Sequence, residues 1–153
     1  MNRKQLITEI KKFFDIRELV CPHTFKAFGE RSWQFLDDNL LETILIVRRD
    51  ILKVPMTVNN YHNGGSLFSQ RGLRCNICQI PKDKTKANQI YLSAHVNGAG
   101  IDFNAEGLTA EQARQKIKAN ANLLPVPIRL EKDVNWVHID VYDYMNGQKV
   151  NEF

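Results

Sequence analysis

The ten residues "VNWVHIDVYD", Val134 to Asp143, constrain the fold more than any other stretch of this 153-residue chain. Period-two alternation puts Val134, Trp136, His138, Asp140 and Tyr142 on one face and Asn135, Val137, Ile139 and Val141 on the other. The second set is core-like. The segment therefore reads as a strand packed on an apolar core, with a histidine, an aspartate and two aromatics on its opposite face. "VPIRLE" (126–131) precedes it across a short turn, so the two read as a hairpin.

The first half of the chain has a different period. Residues 2–14 place Leu6, Ile7, Ile10, Phe13 and Phe14 on one helical face. Residues 29–53 continue near helical spacing through Trp33, Leu36, Leu40, Leu41, Ile44, Leu45, Ile51 and Leu52, with Pro55 as the stop. "VPMTVNNY" then alternates as a strand, and "HNGGSLFSQRG" is a Gly/Ser/Asn-rich loop. Residues 79–90 read as a charged connector. Thr109 and Gln112 form a capping box that opens a helix in "TAEQARQKIKAN", and the tail from Tyr144 is expected to be loose. Helices come first and short strands later, with no repeat or linker. The expectation is a single α+β domain over 1–153, a small antiparallel sheet backed by the 29–53 helix.

A net charge of +4, carried by scattered Lys and Arg with no basic block, argues against a nucleic-acid partner. No apolar run approaches the roughly 18 residues of a membrane span. The opening "MNRKQLITEIKKFFDI" is charged and amphipathic and lacks a secretory apolar core, so synthesis in the cytoplasm is expected, without a signal peptide. Three cysteines cannot all pair. Cys75 and Cys78 form C-x-x-C, but no second pair answers them and Cys21-Pro-His23 is the only other zinc-ligand candidate. The reading is free thiols in a reducing compartment.

A second polar cluster lies in "SAHVNGAGIDF", Ser93 to Phe103. Gly98 and Gly100 allow the backbone to turn between His95 and Asp102 and bring the two side chains together. With His138 on the polar face of its strand, two histidines and an aspartate make a plausible three-donor metal site with an open position.

Ser93-x-His95-x-x-Gly98-x-x-x-Asp102, followed by a strand bearing Trp136-Val137-His138, resembles the zinc D-Ala-D-Ala carboxypeptidases. That family includes D,D-dipeptidases and phage L-alanyl-D-glutamate endopeptidases, on the fold shared with Hedgehog signalling domains. "SLFSQRGLR" is similar to its Ser/Arg loop, and the likeness spans about residues 55–141. The resemblance implies one zinc ion held by His95, Asp102 and His138. It also implies Ser93 and Trp136 beside the substrate, and Arg71 facing its carboxylate or the developing oxyanion, with Arg74 as the alternative if the register slips. The implied activity is metal-assisted cleavage of peptidoglycan peptides by a monomer, D-Ala-D-Ala carboxypeptidase-like. Such an enzyme would reach the bacterial or phage-lysed wall after lysis or by other export.

The acid that many members carry three residues before the last histidine is Asn135 here, and an amide is no base. Three carboxylates stand in as candidates. Asp133, at the turn entering the strand, is favoured. Asp140, on the face of His138, suits a supporting role with Asn135, and Glu131 ends the preceding strand. The missing acid sustains an alternative: a non-catalytic zinc- or peptidoglycan-binding domain of the same fold.

Overall fold

A computed structural model describes residues 1–64 and 67–153. Gly65 and Ser66, in the loop "HNGGSLFSQRG" and the second of them opening the Ser/Arg loop, lie outside the described residues. Among the described residues, six α-helices and a five-stranded, mostly antiparallel sheet give the α+β class. No described helix is long and apolar enough to cross a membrane.

The N-terminal half is more broken than its periodicity suggests. Helix α1, Arg3–Ile10, is followed by two short helices, α2 (Ile16–Leu19) and α3 (Pro22–Phe28). The expected 29–53 helix is three pieces. A 3₁₀ segment spans Gly29–Phe35, Leu36 is extended, α4 runs Asp38–Ile46, and a π-helical stretch, Val47–Leu52, closes it at a left-handed Lys53. Periodicity does not see the break because the apolar residues on both sides still face one core. Its local cause is Asp37, whose carboxylate caps α4 by accepting from the N–H groups of Asn39 and Leu40. Below it, α4 buries Leu40, Leu41, Ile44 and Leu45 in the core and packs against α1.

Residues 79–86, read as a connector, form helix α5, Gln79–Lys86. Pro81 falls in its first turn, where a missing N–H is harmless, and Lys84 and Lys86 complement its C-terminal end. Helix α6, Ala110–Ala119, has the expected Thr109–Gln112 capping box.

The sheet order is β1 (Met56–Thr57), β2 (Gly100–Ala105), β4 (Val137–Asp140), β3 (Ile128–Leu130), β5 (Val150–Glu152). β3 and β4 are the expected hairpin. β5, from the tail expected to be loose, adds parallel to β3 and buries Asn151. The central pair fixes the register on which the polar cluster depends. Asp102 lies opposite His138 and Gly100 opposite Asp140, while Ile101, Phe103, Val137 and Ile139 fill the core on the other face.

The turn feeding β2 docks where the 29–53 helix breaks. Asp37 donates its N–H to the Gly98 carbonyl at 2.9 Å. Gly98 has φ +64°, and a Cβ there would meet the Phe35 carbonyl oxygen at 2.0 Å. Both the left-handed backbone and the contact require glycine. Gly98→Ala is expected to lower stability by at least about 2 kcal/mol in urea unfolding. A loss below about 0.5 kcal/mol, the range of neutral surface changes, would mean that this seat is not close-packed.

Candidate metal centre

His95, Asp102 and His138 converge on the polar face of β2 and β4, all three buried, with donor atoms within 4.8 Å of one another. Asp102 and His138 are directly opposed on paired strands, where side chains approach to about 5 Å. His95 arrives from the 93–98 turn. Ser93 holds that turn by accepting the His95 N–H on its hydroxyl at 3.3 Å.

The outward-facing nitrogens of both rings are anchored. His95 Nδ1 lies 2.9 Å from the Gly72 carbonyl, which fixes it as the protonated nitrogen and leaves Nε2 turned inward, 3.3 Å from Asp102 Oδ2. His138 Nε2 lies 2.7 Å from Asp140 Oδ2, and its Nδ1 lies 2.7 Å from Asp102 Oδ1. Tetrahedral zinc, with bonds of about 2.0–2.2 Å, sets adjacent N and O donors about 3.3 Å apart. The His95–Asp102 edge has that length. The His138–Asp102 edge is a hydrogen bond, closed by a proton on the site a cation would take. A carbonyl behind one histidine and a carboxylate behind the other is the support expected around metal-binding imidazoles. The residues fit zinc.

Charge alternates along this face: Arg74, Asp102, His138, Asp140, Arg129. Arg74 reaches Asp102 at 3.3 Å, and Arg129 grips Asp140 bidentately at 2.9 and 2.8 Å. Burial favours the neutral imidazole of His138, but Asp102 and Asp140 on its two nitrogens outweigh this and raise its pKa to about 9. Burial pushes the Asp102 carboxyl up, while the two histidines overcome it and hold the group below the usual carboxylate range. His95, with one carboxylate against nearly complete burial, is shifted down.

Two adjoining cavities open above the cluster and share Arg74, Asp102 and Trp136. The smaller, about 320 Å³, contains His95, His138, Ser93 and Glu131. The larger, about 610 Å³, contains Arg71, Asn104 and Asn135. Arg71 stacks 3.6 Å from the Phe68 ring centroid and donates to Asn104 Oδ1 at 2.5 Å, with no carboxylate partner among the described residues. Arg74, by contrast, is engaged by the Gln70 carbonyl, the Tyr91 hydroxyl and Asp102.

The structure does not bring Asp133, the favoured base, to either cavity. It is exposed at the hairpin turn with φ +61°. Glu131 lines the smaller cavity and enters no ion pair or hydrogen bond among the described residues. Asp140 is wholly buried and committed to Arg129 and His138. Arg129 was not singled out from sequence, although it faces Asp140 once the hairpin register is written down. The Gly72 carbonyl leaves no trace in residue identity.

The four residues set aside as free thiols and a lone histidine also meet. Cys21, His23, Cys75 and Cys78 have donor atoms within 4.8 Å of one another, close enough to hold a metal ion.

Removing Arg129 leaves the wholly buried Asp140 with His138 in place of its bidentate partner. Arg129→Met is expected to cost about 3 kcal/mol in denaturant unfolding, with Arg129→Lys recovering part of the loss. A change below about 1 kcal/mol would place this pair with ordinary surface bridges. Comparisons with protein-family models, curated proteins and solved structures find no match to this chain.

Proposed function

We propose that the protein is a zinc peptidase of bacterial wall peptides, with His95 Nε2, Asp102 and His138 Nδ1 as the metal donors. The observation that carries this is the convergence of these three donors beneath a cavity, with both outer imidazole nitrogens already anchored. The choice of peptidoglycan rests on the sequence resemblance to the D-Ala-D-Ala carboxypeptidases, and with it the Hedgehog-like form of the fold.

Zinc held there supplies Lewis acidity and makes a hydroxide-equivalent nucleophile available near neutral pH. The chain's own groups do the rest. Glu131 takes the proton of the attacking water and returns it to the leaving amine. Arg71, with donors to spare, pairs with a substrate carboxylate in the larger cavity. Arg74, 3.3 Å from Asp102, holds that carboxylate in orientation. Trp136 and Ser93 bound the position of the scissile peptide, and Asn135 offers an amide for hydrogen bonding at the outer wall. A carboxylate-binding arginine favours a free C-terminal carboxylate in the substrate, hence carboxypeptidase action.

Purified protein loaded with zinc is expected to release D-alanine from D-Ala-D-Ala-terminated wall peptides and to lose this activity on chelation. Glu131→Gln is expected to reduce kcat about 10²- to 10⁴-fold with zinc content unchanged, while Asp133→Asn leaves turnover as it was. The reverse pattern would move the base to the turn. Zinc and peptide binding without turnover would favour the non-catalytic alternative, which Asn135 in place of an acid supports. Failure to bind zinc at this triad would end the proposal.

A further inference from the structure

We infer that Cys21, His23, Cys75 and Cys78 form a second zinc site, structural in role, separate from the His95–Asp102–His138 cluster. Tetrahedral zinc with Zn–S about 2.3 Å and Zn–N about 2.0–2.1 Å requires S···S edges of about 3.8 Å and S···N edges of about 3.6 Å. The Cys75 and Cys78 sulfurs are 3.8 Å apart, and His23 Nδ1 lies 3.5 Å from one and 3.6 Å from the other. Three edges of the tetrahedron therefore have the lengths that zinc sets. Buried Cys21, its sulfur within 4.8 Å of the other three donors, supplies the fourth vertex and has the Thr24 hydroxyl at 3.1 Å as an outer hydrogen-bond partner.

Other readings explain less. A Cys75–Cys78 disulfide needs about 2.05 Å between sulfurs, little more than half the separation present, and gives His23 no reason to lie equally far from both. A set of inert buried thiols leaves unexplained why an exposed histidine folds back over them. Binding is acid–base chemistry only: three thiols release their protons, and zinc takes three thiolates and one neutral imidazole. Cys78 is the N-cap of α5 and makes no side-chain cap hydrogen bond, so its sulfur is free to bind while the helix end favours its negative charge.

All four ligands lie at the ends of one tertiary junction. Cys21 follows the Val20–Leu73 bridge and donates its N–H to the Leu73 carbonyl at 3.0 Å. His23 and Cys75 are 52 residues apart in sequence, so the metal closes a long loop that cross-links the N-terminal helices to the segment carrying Gly72 and Arg74. The role is that of a staple.

Cobalt titration of the intact protein tests this without any variant. Thiolate-to-cobalt charge-transfer absorption in the near ultraviolet is expected, because the Cys site supplies sulfur and the His/Asp site supplies none. His95→Ala/His138→Ala protein is expected to keep that absorption and about one equivalent of metal. Cys75→Ser/Cys78→Ser protein is expected to lose both the absorption and about one equivalent. With zinc bound, thiol reagents are expected to modify the cysteines only after chelation. Absence of the charge-transfer bands from cobalt-loaded wild-type protein, or free thiol reactivity at full zinc loading, would overturn the inference. Either result leaves the peptidase reading untouched, since that rests on the other three ligands.

Discussion

Everything at the candidate centre depends on placing alternating charges in a row where water is scarce. Asp102, His138 and Asp140 are nearly or fully buried, and each stays in its native protonation state only because its neighbours carry the opposite sign. An isolated charge at any of these positions would meet a desolvation penalty of several kcal/mol. The β2–β4 register makes the row possible. A one-residue slip of β4 against β2 would turn His138 into the core and bring Ile139 to the cavity, leaving Asp102 without its partner. The buried isoleucine face thus holds the histidine face in place, and core and site are two readings of one strand pairing.

That relation explains how much was legible beforehand. Alternation in "VNWVHIDVYD" carried His138 and Asp140 to the correct face because a half-buried strand must alternate. Gly98 pointed to a turn because glycine there answers both a backbone angle and a steric contact. The spacing over 29–53 predicts one long helix because hydrophobic spacing reports which residues face the core, not whether the chain between them is continuous. The break at Leu36–Asp37 joins a local cap, the Asp37 carboxylate, to a tertiary contact with the Gly98 turn that hydrophobic spacing does not report. Asp133 drew attention through its nearness to His138 in sequence. At the turn, however, it is exposed and lines neither cavity, whereas Glu131, just past β3, lines the smaller one.

The four residues of the cysteine cluster are zinc-ligand candidates in the sequence, and free thiols are the preferred reading there for a similar reason. A lone C-x-x-C looks for its complement at a comparable spacing, but here the complement is one cysteine and one histidine on a separate helix, joined through a single parallel bridge. Neither local pattern nor composition distinguishes that arrangement from unrelated thiols. Only the meeting of Val20 with Leu73 brings the halves together.

The segment from Arg71 to Cys75 has little regular structure of its own, yet its backbone is hydrogen-bonded on both sides. Leu73 binds Leu19 and Cys21 on one flank, while the Arg71 carbonyl accepts from Asp102 N–H and Arg74 N–H donates to His95 on the other. Such a strap has no ladder of its own, and its order is supplied by the two flanks that hold it. Its amide protons therefore report on two distant places at once, and slowed exchange there would register the assembly of the whole molecule rather than of any one element.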